Sequence, residues 1–515
     1  MKRLLIIIFF ILFFTSNIFS QVYLQWANLY TNGNYSPTYG YRLISVSNNL
    51  YSVGVSAVFG RYDMALLKYS TKGNIIWSRR FDTLSSISNG GACILADDSG
   101  NLFVGGTSLW KYDMKSNLLW NKQLTSGKGI PSLFLDKENY ILMSSEFANN
   151  SFLIRKYSYS GDSLWEKRFK PEGTIAARWK DAAKDNEDNI ITAGYMNKPG
   201  IGDVYDFMTV KFSSDGDSIW ANRFDQGIDN LCYAMTVDDS NNVYVTGNTQ
   251  NANYDMVTIK YSPDGSLIWQ KIFNGGSGDT GYDIEVDKDE NVYVAGRAGG
   301  LGLTITKYDK NGNVIWFRNR PDNAIGNFPV LRLDKENSAY MAFFLVTPQG
   351  GEMCAIEKYD TEGNPKWLAK YGIDSTTSLQ KIYDFFIDST FSIYATGRSK
   401  NTIMTLKFVQ TPTSLNETNS QIVKDFYLSQ NYPNPFNPST IINYNCSMFN
   451  FITLKVYDVL GNEVATLVNE NKPAGSYKVE FSAESIGRDL ASGIYFYSLS
   501  VDGVVVDTKR MVLLR

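Results

Sequence analysis

Two short runs of acids are the residues best placed to do chemistry: Asp283, Glu285 and Asp287 in one stretch, Asp384 and Asp388 in another. Paired carboxylates can divide acid and base roles in polysaccharide hydrolysis when their surroundings push their pKa values apart. Histidine is absent from all 515 residues. That removes Ser-His-Asp and Cys-His nucleophile systems, the commonest zinc ligand and the usual pH switch. Carboxylate chemistry is what remains. Acids recur at similar places elsewhere, where a strand or turn role explains them, so no residue is assigned as catalytic.

Other spacings carry less. The runs Asp287-Lys288-Asp289-Glu290-Asn291 and Asp185-Asn186-Glu187-Asp188-Asn189 resemble fragments of calcium loops. They lack the glycine and the distal bidentate glutamate of such loops, and Asp and Asn are ordinary turn formers. The turn reading is preferred, and no cofactor is expected. Asn274-Gly275-Gly276-Ser277-Gly278 is glycine-rich but has no helix after it and no lysine placed for phosphate. Cys93, Cys232, Cys354 and Cys446 lie far apart with no CxxC. They read as small hydrophobes in strands, with one long-range pair left open.

The chain is too long for one hydrophobic core. Its aromatic content of 14%, with 41 glycines, leans towards β-structure. A net charge of −3 without long runs of one sign argues against a nucleic-acid partner. Lys2 and Arg3 followed by the apolar run from Leu4 to Phe14 read as a signal peptide over residues 1–20, cleaved near Ser20-Gln21. No cysteine follows the apolar run, which argues against a lipoprotein.

The elements that hold the acids come from a repeat. A Lys, then an aromatic, usually a Gly five residues after the Lys and a Trp nine after it, recur seven times. The copies are Lys68-Tyr69…Trp77, Lys111-Tyr112…Trp120, Lys156-Tyr157…Trp165, Lys211-Phe212…Trp220, Lys260-Tyr261…Trp269, Lys307-Tyr308…Trp316 and Lys358-Tyr359…Trp367. In the second copy Ser116 replaces the glycine. Lys407-Phe408 starts an eighth copy without a Trp, and Trp26 is a Trp without a Lys. The N-terminal strand is therefore expected to complete the last unit. In the fifth unit Cys232–Asp238, 242–247, Asp255–Tyr261 and Ser266–Phe273 read as four strands, with Ser262-Pro263-Asp264-Gly265 as a hairpin turn. Tight hairpins within a unit and a longer crossover between units give the blade pattern of a β-propeller, with the first strand innermost. The expectation is eight four-stranded blades over residues 21–410, seven being the alternative, and the Trp repeat is ascribed to packing between blades.

Residues about 22–409 resemble the bacterial β-propeller repeat family called SBBP, through Tyr254-Asp255…Lys260-Tyr261…Gly265…Trp269 and Asp287…Asn291-Val292-Tyr293-Val294-Ala295-Gly296. The resemblance implies a propeller and no particular activity.

Residues 411–424 are polar and aperiodic, a linker. From about Asp425 to 515 the chain is regular again, and about seven short strands suggest a small β-sandwich. This segment closely resembles the type A sorting domain of the type IX (Por) secretion system. The marks are Asn431, Pro433, Asn434, Pro435, Phe436, Asn437 and Pro438, then Tyr457, Asp458 and Gly461 after Leu454-Lys455-Val456, then Gly493 and Tyr495, and Lys509 in the last strand. The resemblance implies passage through the periplasm, recognition by the outer-membrane translocon, cleavage by a sorting peptidase, and release or attachment at the cell surface. The overall expectation is all-β and monomeric: an exported, non-catalytic binding or adhesion scaffold for a glycan or protein. The alternative is an extracellular carboxylate-dependent hydrolase or lyase acting on polysaccharide.

Overall fold

In the computed structural model the described residues are 22–31, 38–58, 61–81, 93–106, 108–123, 132–138, 140–146, 151–170, 177–198, 204–276, 278–320, 328–346, 350–372, 379–410, 427–446, 450–472, 475–484, 490–501 and 504–514. The signal-peptide and linker expectations fall outside them. The described chain is all-β, built of antiparallel sheets.

Among the described residues up to Gln410, eight four-stranded sheets follow one another, spanning 38–81, 93–123, 132–169, 177–224, 230–273, 280–320, 330–371 and, last, 380–410. The fifth comprises Asn230–Val237, Val243–Gln250, Tyr254–Tyr261 and Leu267–Phe273, close to the sequence expectation. The eighth has three strands of its own, and its fourth is Val22–Tyr30, paired with Thr402–Gln410 from Val22 opposite Gln410 to Tyr30 opposite Ile403.

Hydrophobic residues are buried between sheets. Eight apolar clusters each join one sheet to the next, and the one built on Leu43, Leu67, Tyr69 and Ile403 joins the first sheet to the last. The middle strands are buried on both faces, as Ile190–Asn197 shows along its whole length. Cys93, Cys232 and Cys354 are buried free thiols in these layers, so none of the three is bridged to another. Burial pushes the Cys93 and Cys354 thiols up to about 12.

The repeat's residues meet across the outer hairpin. Each Lys stands opposite its Trp, and the Trp strand carries one extra residue just before the Trp in all seven complete copies. Trp26 likewise stands opposite Lys407. The Trp indole then reaches the neighbouring sheet. Trp220 Nε1 donates to the Pro263 carbonyl at 3.0 Å, Trp269 to Lys310 at 3.0 Å and Trp316 to Thr361 at 2.9 Å.

This contact explains the glycine. Gly73, Gly161, Gly216, Gly265, Gly312 and Gly363 all have positive φ, and a Cβ on any of them would lie no more than 3.0 Å from the indole of Trp26, Trp120, Trp165, Trp220, Trp269 or Trp316 respectively. The turn after the first strand also takes positive φ, and there Asp188, Asn241, Glu290, Asn337 and Phe391 adopt it. Where Ser116 replaces the glycine, at φ 69°, Arg79 Nη2 donates to its carbonyl at 2.8 Å.

The tail contains a three-stranded sheet of Tyr427–Leu428, Ser439–Cys446 and Gly475–Ser482, and a four-stranded sheet of Asn450–Tyr457, Glu463–Lys472, Gly493–Val501 and Val504–Leu513. Both share one core, with Phe436, Ile442, Leu454, Tyr497 and Met511 buried in it.

Candidate functional site at the inner strands and the tail

The first strand of five sheets carries a bulge, which sets two consecutive residues against one partner. The bulge residues are Tyr41, Lys180, Tyr233, Tyr282 and Tyr383, and the residues that follow are Arg42, Asp181, Ala234, Asp283 and Asp384. The following residues converge. Asp181 Oδ2 accepts from the Met235 amide at 3.1 Å, Asp283 Oδ2 from Leu331 at 2.8 Å and Asp384 Oδ2 from Leu43 at 3.2 Å. Each is a bolt from one innermost strand to the next, occupying an amide that the sheet's inner edge would leave open.

Arg332 binds the acids together. Its Nη2 lies 2.8 Å from Asp384 Oδ1, and its Nη1 lies 3.3 Å from both Asp283 Oδ2 and Glu285 Oε1. Arg42 Nη1 approaches Asp384 at 4.0 Å. Burial pushes Glu285 up to about 7 against the pull of Arg332, and it pushes Asp181 up to about 6 against the Met235 amide and Arg42. Asp283 is raised by burial too. Burial opposes the charge on Arg332, yet Asp384, Asp283 and Glu285 outweigh it. Glu285 and Arg332 each keep 28% side-chain exposure, so the cluster remains open to water.

A raised carboxyl adds stability that is present below its unfolded value and lost as pH rises through its folded value. For Asp181 that window runs from 3.8 to about 6. Asp181→Asn keeps an oxygen for the Met235 amide and removes the titration. Relative to wild type, the variant is expected to gain on the order of 2 kcal/mol between pH 4 and pH 7.5. Urea melts at the two values check this; an unchanged difference would remove Asp181 from the buried cluster.

Two acids named from sequence are elsewhere. Asp287 and Asp388 lie in the turns after the innermost strands, not on the inner surface with Asp283, Glu285 and Asp384. Asp287 Oδ1 accepts from the Asp289 and Asn291 amides at 3.0 and 2.8 Å, and Asp388 Oδ1 from Thr390 and Ser392 at 2.8 and 2.9 Å. The strand had already ended before them. The same chemistry accounts for Asp185, whose oxygens take the Glu187 and Asn189 amides and the Asn189 and Lys211 side chains. Among the described residues no group of three acids or thiols is arranged to hold a metal. In the glycine-rich loop, the Gly275 and Gly299 amides both donate to the Asp279 carboxylate, which fills the place an anion would need.

Aromatic side chains crowd the end of the innermost strands where the crossovers enter. Tyr39, Tyr41 and Tyr383 meet with ring centres 5.7–6.3 Å apart. Tyr233 and Tyr282 are 5.2 Å apart, and Phe328 lies 4.8 Å from Tyr282 and 6.4 Å from Tyr233. Lys180 Nζ sits 5.6 Å from the Tyr233 ring. Sequence reading missed Arg42, Asp181, Arg332 and these tyrosines. A signal existed: Lys180, Tyr233, Tyr282 and Tyr383 each stand five residues before a turn aspartate, Asp185, Asp238, Asp287 and Asp388.

In the tail, the residues from Asn431 to Pro438 lie along the last strand. Asn434 acts as a substitute backbone: its Oδ1 accepts from the Val512 amide at 2.9 Å and its Nδ2 donates to the Arg510 carbonyl at 3.3 Å. Phe436 N donates to the Val512 carbonyl at 2.9 Å and its carbonyl takes the Leu514 amide at 3.0 Å, while its ring is buried against Phe481. The bonds before Pro433, Pro435 and Pro438 are cis, so Asn437 is joined to Pro438 in that form. Buried Asn431 holds the Pro433 carbonyl and the Thr440 hydroxyl, at 3.1 and 3.0 Å. The segment thereby covers an edge that would otherwise invite strand addition. Tyr457 ends a strand opposite Phe496, Asp458 takes the Leu460 and Asn462 amides, and Gly461 supplies φ +84°. Gly493 begins the strand in which the Tyr495 hydroxyl donates to the Ala491 carbonyl at 2.9 Å, and Lys509 pairs with Asp507 at 3.1 Å.

Comparison with known proteins agrees with both halves. Residues 430–513 match the model of the secretion system C-terminal sorting domain, and residues 230–255 match that of the β-propeller repeat. No curated protein matches the chain. Among solved structures, Sqt1 of Chaetomium thermophilum bound to the N-terminus of ribosomal protein L10 is similar at TM-score 0.53 and 10% identity, covering 73% of this chain and 98% of that one. A second crystal structure of Sqt1 from the same organism is similar at 0.53 and 10%, covering 76% and 100%. The WD40 domain of SCAP from fission yeast is similar at 0.43 and 8%, covering 74% and 98%. At 10% identity the likeness to Sqt1 concerns the fold alone. The sorting domain marks proteins exported to the cell surface or the extracellular space.

Proposed function

We propose that this chain, which carries a β-propeller repeat and a type IX secretion sorting domain, is an exported binding scaffold whose ligand docks on the propeller's crossover face. The propeller is read as eight blades over residues 21–410, closed by the N-terminal strand. The linker is 411–424, and the tail, 425–515, is read as a small sandwich that engages the outer-membrane translocon and is cut by a sorting peptidase. The protein then acts as a monomer, released or surface-attached, without a metal.

One observation carries the binding role. The bulges deliver tyrosines and a lysine to the crossover end, while the aspartates beside them are committed to neighbouring amides and to Arg332. Aromatic rings with polar groups beside them are what ligand sites use to hold and orient a ligand. The test is binding of the purified chain to glycan and protein arrays, with and without EDTA. Specific capture insensitive to EDTA is expected; silence on both arrays would remove the reading.

Glu285, pushed up to about 7 and partly exposed, favours a second reading as a polysaccharide hydrolase or lyase. Release of reducing ends by wild type, lost in Glu285→Gln, would establish that reading and displace the scaffold.

A further inference from the structure

Phe328 is the outlier of the crossover end. It is 63% exposed, and its backbone is held at φ 79°, a conformation that costs a bulky residue free energy. An exposed ring kept in a strained backbone contributes little to the core. Its ring meets those of Tyr282 and Tyr233, so two rings from successive innermost strands and one from the crossover just before the seventh sheet form one platform. Polar groups border it. Lys180 stands beside Tyr233, and the Tyr254 hydroxyl lies 3.3 Å from Asp229 Oδ2. Thr280 Oγ1 takes the Asn248 amide at 2.9 Å. Asn248 is only 5% exposed, and its Oδ1 has no partner among the described residues.

We infer that this platform binds pyranose units of an extracellular polysaccharide, an inference that rests on the scaffold reading above. A pyranose offers a face of C–H groups to aromatic rings and an edge of hydroxyls to flanking amides, carboxylates and lysines, which matches both parts of the surface. Other ligands fit less well. An extended peptide would add along a strand edge, but inner-edge amides of Met235, Leu331 and Leu43 are already taken by Asp181, Asp283 and Asp384. A lipid would leave the bordering polar groups without partners. A polyanion would meet the carboxylates of the inner strands.

The test uses the full purified chain with a soluble β-glucan, xylan, α-mannan and polygalacturonate, by affinity electrophoresis and calorimetry, beside a peptide array. Wild type is expected to bind at least one polysaccharide. Phe328→Gly is expected to weaken that binding by about tenfold or more, while its melting midpoint stays level or rises, because glycine adopts positive φ without strain. Phe328→Trp should retain binding. Polysaccharide binding unchanged in Phe328→Gly overturns the platform and leaves the scaffold standing. Capture of peptides alone overturns the ligand class. A drop in melting midpoint matching the loss of binding would make Phe328 structural and also overturn the inference. Failure of wild type to bind anything removes the scaffold itself.

Discussion

Removing the strand Val22–Tyr30 is expected to make the protein aggregate, with a lower melting midpoint for the fraction that stays soluble. The strand's ladder with Thr402–Gln410 would be lost, exposing that strand's whole edge for pairing with other chains. Packing across the first and last sheets would be lost as well. Trp26 stacks on Tyr69 at 6.4 Å, meets Tyr394 edge-on at 6.4 Å, and donates to the Thr71 carbonyl at 3.2 Å. Trp26→Ala alone is expected to cost about 3 kcal/mol in urea unfolding, near the lower end for truncating a large aromatic. A synthetic peptide of residues 22–30, added in trans to the deleted chain, should suppress the aggregation by strand addition. Full stability of the deleted chain would mean that the ring does not depend on this closure.

The second large effect concerns Arg332. Replacing it with Met leaves Asp283, Glu285 and Asp384 facing one another without their shared cation. Removing one partner of a fully buried ion pair costs about 3–5 kcal/mol; this cluster is partly open to water, so a loss near or below the lower end of that range is expected at pH 8. The loss should shrink as pH falls, for a definite reason. Asp283 and Glu285 already have raised folded values in the presence of Arg332, Glu285 at about 7. Without the guanidinium they rise further, so the variant's stability is greatest where they are protonated and falls as pH climbs through their folded values. Adding Glu285→Gln to Arg332→Met should recover part of the loss at pH 8. Arg332 also packs its Cζ 5.9 Å from the centre of the Phe385 ring. A loss equal at pH 5 and pH 8, unaffected by Glu285→Gln, would assign the effect to that packing.

Much of the propeller could be read from local chemistry. The Lys-to-Trp interval of nine contains one hairpin turn, so register alone sets Lys260 opposite Trp269. Aspartate followed by Asn four residues on closes the same turn in the propeller and the tail, as Asp287 with Asn291 and Asp458 with Asn462 both show. That same regularity misplaced Asp287 and Asp388: acidity is visible in sequence, but the point where a strand gives way to its turn is less so. The glycine's recurrence was legible, while its cause was not, because the indole it avoids belongs to the preceding sheet.

The export tail was determined by sequence: its prolines, glycines and alternating strands form a connected pattern within ninety residues, and the sorting-domain match covers 430–513. Sequence likewise determined the repeat and pointed to the N-terminal strand as the missing eighth copy, since turn chemistry and side-chain alternation act over a few residues. Tertiary structure decided which of the acids named from sequence come together in the candidate site, and what they meet there. Asp384 reaches the Leu43 amide across 341 positions, and Arg332 gathers acids from two neighbouring sheets. A one-residue bulge turns Tyr282 to the crossover end beside Asp283, and only the paired strand shows that it is there. Which side chains come together depends on how sheets close on one another, and no local pattern records that.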